Sequence, residues 1–267
     1  MHKLAVVFAL LGGALDAQNI KPVPLVGSLT TFSTQIIPLV TIGDGWSQRF
    51  VVQNTDDTFP STLTIKFFTK DGTPMLVSII GAGPAPSASA FTFNLQAGKS
   101  VAFDTVVSNA PLQIGWAYLG SSAGSGNFFG QTIFRKSTPG LPDFMCSMVF
   151  GGLGFQQLST FFDNTSGNIT AMGIVTSIQC GVLSCADTVP LVVTVRDISG
   201  AVVSQKIVNQ KLGTLNWINL GNDYPETIGK LGTFEAKVLN AYSTTLTGVS
   251  LEWSGNGAFT IVTPFEK

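Results

Sequence analysis

The sequence predicts an all-β protein made of two tandem antiparallel β-sandwich domains of immunoglobulin-like type, related by internal duplication. Three observations carry that expectation. Short alternating or β-branched runs recur along the chain, clusters of Gly, Pro, Asn and Asp separate them, and no window keeps a 3.6-residue apolar period long enough to demand a helix. One unit is also written twice. The strand-like run Thr62-Leu63-Thr64-Ile65-Lys66-Phe67-Phe68 enters the turn Lys70-Asp71-Gly72-Thr73, and Leu191-Val192-Val193-Thr194-Val195-Arg196-Asp197 enters Ile198-Ser199-Gly200-Ala201. A repeat of about 120 to 130 residues is too long for a solenoid and suits a duplicated sandwich.

Taken in order, the chain opens with Met1-His2-Lys3 and the apolar run from Leu4 to Ala14. Positive charge followed by a short apolar stretch reads as a signal peptide over 1–17, with cleavage after Ala17. The run is too short for a bilayer core of about 30 Å, and no later stretch offers about 20 uninterrupted apolar residues. A secreted or cell-surface protein with no transmembrane helix in its mature chain is therefore expected.

The first domain is placed at 18–140, with strands at 33–40, 48–53, 62–68, 75–80, 90–95, 100–106, 113–119 and 128–134. Gly and Pro in 81–87 and Gly and Ser in 120–126 mark surface loops. An apolar connecting segment follows at 141–160, expected to form a short strand that packs on one or both domains. The second domain, 161–267, repeats the order with strands at 171–178, 190–196, 201–207, 215–219, 232–239, 248–253 and 259–262.

Charged residues make up 11% of the chain and sum to −1, so the basic footprint of a nucleic-acid binder is missing. A neutral surface also lacks repulsion between copies, which leaves self-association open. Of the three cysteines, Cys180 and Cys185 flank a short loop and are expected to pair in an oxidising compartment. Cys146, inside Phe144-Met145-Cys146-Ser147-Met148, reads as a small buried hydrophobe.

The chemistry of catalysis is poorly supplied. The single histidine is His2, inside the expected signal peptide, so Ser-His-Asp, Cys-His and His-ligated metal sites are not available to the mature chain. Most acids, among them Asp56, Asp57, Asp71, Asp197 and Asp223, stand in turn sequences where short carboxylates bond to their own backbone. Glu235 and Glu252 fall within strands, where alternation allows a shared sheet face, but a lone exposed strand Glu is commonplace and no glycosidase-like pair is expected. The loop Asp163-Asn164-Thr165-Ser166-Gly167-Asn168 has hard oxygen ligands but no bidentate Glu, and turn formation explains it without calcium. No cofactor and no metal are expected.

Aromatic residues offer the one binding feature. Trp46, Trp217 and Trp253 each stand beside Ser, Asn, Thr or Gly, the setting of a sugar-stacking surface, whereas Trp116 alternates with Ile114 and reads as core.

The order Gly43-Asp44-Gly45-Trp46-Ser47, Gln53-Asn54, Asp71-Gly72-Thr73-Pro74, Gly115-Trp116-Ala117, Ile133-Phe134-Arg135, Phe162-Asp163-Asn164-Thr165 and Gly257-Ala258-Phe259-Thr260 resembles a group of secreted bacterial tandem-sandwich proteins of the Acidobacteria type. The resemblance covers nearly all of the expected mature chain. It implies fold and export, and carries over no catalytic residue. The expected function is a non-catalytic interaction or structural module, with an extracellular polysaccharide or a surface protein as partner. A carbohydrate-binding module and a self-assembling matrix or envelope subunit are the alternatives.

Overall fold

A computed structural model of the chain describes residues 21–22, 34–80, 87–123, 128–140, 143–151, 155–178, 187–239, 244–254, 259–262 and 264–266. The expected signal peptide and the Cys180–Cys185 pair lie outside the described residues. Strand makes up 68% of the structure and helix 4%, so the protein is all-β.

The first half contributes β1 (Lys21–Pro22), β2 (Thr34–Ile42), β3 (Trp46–Asn54), β4 (Ser61–Thr69), β5 (Ile79–Ile80), β6 (Ala90–Leu95), β7 (Ser100–Thr105), β8 (Gln113–Ala123), β9 (Phe128–Lys136) and β10 (Phe144–Val149). They form two five-stranded antiparallel sheets, in the orders β1-β6-β4-β8-β2 (sheet 1) and β10-β9-β3-β7-β5 (sheet 2). The second half contributes β11 (Gln157–Asp163), β12 (Ile169–Ile178), β13 (Thr188–Asp197), β14 (Val202–Lys211), β15 (Leu215–Asn219), β16 (Leu231–Val238), β17 (Thr244–Trp253), β18 (Phe259–Val262) and β19 (Phe265–Glu266). These make sheet 3, β14-β13-β16-β11-β19, and sheet 4, β15-β12-β17-β18. A short helix α1 (Leu220–Asp223) and a 3₁₀ turn (Pro225–Thr227) follow β15.

The two halves pair in the same way. The run β6-β4-β8-β2 of sheet 1 matches β14-β13-β16-β11 of sheet 3, and β10-β9-β3-β7 matches β18-β17-β12-β15, with every match in chain order. The two turns share their backbone bonds: Gly72 N–H donates to Thr69 O and Gly200 N–H to Asp197 O, with both glycines at left-handed φ, 82° and 86°. Gly115 and Gly232 also correspond. A Cβ on either would lie 2.0 Å from the Phe68 carbonyl or 1.9 Å from that of Arg196.

Alternation within each strand builds the cores. Phe50 and Val52 of sheet 2 meet Leu63, Ile65, Phe67, Phe91 and Phe93 of sheet 1 in one cluster, and Phe50 stacks on Phe103 at 5.2 Å. Leu158, Phe162, Met172, Ile174, Leu191, Val193 and Phe234 form a second between sheets 3 and 4. Strands β2 and β17 break alternation, being buried on both faces over most of their length. Their outward residues meet those of the other half. Ile36 and Trp116 of sheet 1 close on Val175 and Leu215 of sheet 4 in a third cluster, while Val249 and Leu251 of β17 extend the first. Leu215 N–H also donates to the Lys70 carbonyl at 2.8 Å. Trp116, expected as core, is 5% exposed and stacks on Phe68 at 4.5 Å, in the junction between the halves.

The strand expected at 75–80 is a strand only at Ile79–Ile80, since Met75 N–H donates to the Phe67 carbonyl and Val77 exchanges two bonds with Ala88 in an isolated bridge. The segment 141–160, expected to form a short strand, supplies β10 to sheet 2, bridges Gly151 to Ile36 of sheet 1, and begins β11. Cys146 sits on β10 with its side chain against the first core, and burial pushes its thiol up to about 12.

Trp116→Ala should lower stability by about 3 to 5 kcal/mol, the range for truncating a large buried aromatic. Urea unfolding followed by far-UV circular dichroism checks it; a loss within 1 kcal/mol would mean that the junction contributes little.

Candidate functional site

Two runs of small or turn-forming residues build the site. Gly43, Asp44 and Gly45 take three consecutive left-handed conformations, φ 83°, 48° and 75°. Asp44 N–H donates to Ala110 O (2.7 Å) and Gly45 N–H to Ser108 O (2.9 Å), while Gly45 O accepts from Ser137 N–H (3.0 Å). A Cβ on Gly45 would sit 2.4 Å from the Ser137 carbonyl, so glycine is required there by space as well as by φ. This turn delivers Trp46 as the first residue of β3. Its indole meets Phe144 edge-on at 6.3 Å, and Lys136 Nζ stands 5.7 Å from the ring centroid. Lys136 is itself held by the Asp44 carboxylate at 2.6 Å and by the Asp44 carbonyl.

On sheet 4, Val175, Gly173 and Ala171 run along one face of β12, paired in register with Leu215, Trp217 and Asn219 of β15. Val175 and Leu215 are closed against sheet 1. Further along, Gly173 and Ala171 are too small to fill the space. The Trp217 ring lies over Gly173, 3.0 Å from where a Cβ would stand.

The gap left between the halves is a cleft of about 340 Å³. Sheet 1 lines it with Leu39, Thr41 and Ile114, sheet 2 with Trp46 and Phe134, and sheet 4 with Ala171, Trp217, Asn219, Leu251, Trp253 and Ile261; Leu112 completes it. Trp46, Trp217 and Trp253, chosen from sequence, therefore meet in one cavity. Trp253 is 37% exposed and stands nearest to solvent by that measure. No charged side chain stands among the described residues that line it.

The polar liners are fixed from behind. Gln48, 1% exposed, stitches β3 to β2: its Nε2 donates to Leu39 O (3.0 Å) and its Oε1 accepts from Thr41 N–H (3.1 Å), across the bulge between Ile37 and Val40. Asn219 Oδ1 caps α1 by accepting from Asn222 N–H at 3.1 Å. Trp217 Nε1 is buried without a partner. Sequence reasoning missed Leu39, Thr41, Ile114, Asn219 and Ile261, because nothing in a lone apolar strand residue marks which side of a sheet will face a gap.

Trp217 also borders a second, polar hollow of about 420 Å³, lined by Lys70, Asp71, Asn209, Gln210, Lys211, Thr214 and Asn216. Gln210 Oε1 is buried there without a partner.

The two strand glutamates do not come together. Glu235 lies on sheet 3 and accepts from Gln157 Nε2 at 2.8 Å, whereas Glu252 lies on sheet 4, so the two share no sheet face. Strand alternation gave each a side but not a sheet. Burial raises the Glu252 carboxyl, with Asp163 adding repulsion. Asp163 is held low by the Thr165 hydroxyl and N–H, with Asn168 adding a further bond. Those donors occupy both oxygens of Asp163 within its own turn, the geometry of an Asx turn. Among the described residues no group of three or more His, Cys, Asp or Glu is placed to hold a metal ion. No described helix is long and apolar enough to cross a membrane.

No family model matches the chain, and the comparison with curated proteins returns no match.

Two outcomes follow from this geometry. Gln48→Leu leaves Thr41 N–H and Leu39 O unpaired in the interior and should cost about 2 kcal/mol in urea unfolding; a neutral result would remove Gln48 as the support of this wall. Because the folded-state value of Glu252 is raised above its ordinary 4.5, its contribution is full below that pH and is lost as pH rises through the raised value. Glu252→Gln should therefore unfold at slightly higher urea than wild type at pH 7, and the difference should vanish on titration below pH 4.5.

Proposed function

We propose that this chain is an exported, non-catalytic interaction protein made of two immunoglobulin-like sandwiches that arose by duplication, akin to the secreted Acidobacteria-type group its motifs resemble. The strand-for-strand match in pairing order, the shared turns at Gly72 and Gly200, and the paired close approaches at Gly115 and Gly232 support the duplication. One observation carries the functional reading: three tryptophans from three strands converge on an apolar cleft that contains no acid or base. Such a cleft is suited to binding and lacks groups for proton transfer. Its volume falls in the lower part of the range of small-ligand sites, about 300 to 1,000 Å³.

A second reading has its own support. The polar hollow beside Trp217 combines an indole with the amides of Asn209, Gln210 and Asn216 and the carboxylate of Asp71, a set that suits sugar hydroxyls. A glycan array on the mature chain discriminates the two. Hits that disappear with Trp217→Ala favour the carbohydrate module, and a clean blank favours the apolar cleft.

The non-catalytic reading predicts no turnover above background on a panel of glycosidase, esterase and peptidase substrates. Turnover that is abolished by Glu252→Gln or Glu235→Gln would replace it with a hydrolase.

A further inference from the structure

Two of the polar side chains that line the cleft, Asn219 and Trp217, carry N–H donors. Asn219 Oδ1 already accepts from Asn222 N–H in the N-cap of α1, while its Nδ2 brings two N–H donors to the residue that lines the cleft. The Trp217 N–H is buried and bonds to nothing, so turning it toward a ligand would break no existing hydrogen bond. Unpaired buried donors favour an acceptor that reaches them, because an unmade hydrogen bond in an apolar setting is expensive. The remaining walls are indole, phenyl and aliphatic surfaces, with Thr41 the other polar liner. A charged ligand would lose its hydration here and gain no counter-ion. A sugar would leave most of its hydroxyls without partners.

From these complementarities we infer that the cleft binds an uncharged, flat, largely apolar molecule carrying a carbonyl-type oxygen, such as an aromatic ketone or ester. The inference rests on the reading of this cleft as the protein's binding site. Trp46 and Trp253 provide the flat surfaces, Gly173 and Ala171 keep the floor open, and Asn219 with Trp217 receives the oxygen.

The test uses the mature chain and four probes: the neutral fluorophore N-phenyl-1-naphthylamine, benzophenone, diphenylmethane, and 4-benzoylbenzoate. Benzophenone and diphenylmethane are close in shape and differ in the acceptor; the benzoate adds a charge. Naphthylamine fluorescence should rise on binding and fall on displacement, with benzophenone displacing it at about fivefold to tenfold lower concentration than diphenylmethane, the worth of one net hydrogen bond. The benzoate should be weaker than benzophenone. Ala171→Leu, which puts a larger side chain on the cleft floor, should abolish binding of all four. Asn219→Asp keeps the capping oxygen and removes the amide donors, so it should bring the ketone and the hydrocarbon to within about twofold of each other. Circular dichroism and the unfolding midpoint confirm that each variant is folded, and Trp253→Phe serves as a second, milder cleft variant should Ala171→Leu not fold.

Binding that is lost in the cleft variant, with the ketone and the hydrocarbon equally potent, would overturn the ligand class and leave the cleft as the binding site. No binding by any probe, or binding unchanged in a folded cleft variant, would overturn both.

Discussion

The arrangement depends on burying the outward faces of β2, β8, β12 and β15 against one another. Ile36, Trp116, Val175 and Leu215 would be exposed on the surface of either half taken alone. Large aromatic and branched side chains of this kind favour burial by about 1.5 to 3 kcal/mol each. The need to cover them makes sheets 1 and 4 neighbours. It also places Trp46, Trp217 and Trp253 around one space, although they are far apart in sequence.

Equivalent positions in the two halves show how the sequence adapts to which face is covered. Phe68, Trp116 and Tyr118 on the covered face of sheet 1 correspond, by register, to Arg196, Thr233 and Glu235 on sheet 3. Sheet 2 likewise carries Arg49 and Asp104, paired with each other, and Arg135, paired with Asp143 just before β10, on strands that match in order those that sheet 4 uses for the junction. Exposed pairs of this kind add little stability. Their effect is to make a free face poor at stacking on another sheet, as terminal repeats in tandem proteins do. The contact between the halves is also heterologous, since it joins sheet 1 of the first half to sheet 4 of the second, two sheets with different strand orders in the chain. A repeating contact of that kind would propagate, and the charged outer faces oppose it.

The cleft is a departure from close packing within this junction. Along β12 and β15 the contact changes over three paired positions, from Val175 and Leu215, which touch sheet 1, to Ala171 and Asn219, which do not fill the space. Gln48 and the Gly43–Gly45 turn hold the opposite wall by bonds that run behind it. A site supported in this way is preorganised, with its aromatic walls set by backbone geometry more than by the ligand.

Much of this was readable from residue order, because strand class follows from alternation and turn chemistry, which are local. The repeated turns at Gly72 and Gly200 were legible for that reason, and so were the candidacies of Trp46, Trp217 and Trp253. Alternation also gave Glu235 and Glu252 a face each, but it holds no information about which sheet a strand joins, and the two acids part company there. Leu39, Thr41 and Asn219 were not legible as cleft residues, since their neighbours come from strands tens to hundreds of positions away. The chain by itself determined two sets of strands and their turns, through short-range sterics and apolar period. Only the tertiary structure decided that the halves meet through unlike faces and leave an aromatic gap, because that outcome depends on which surfaces remain to be buried once each sheet pair has formed.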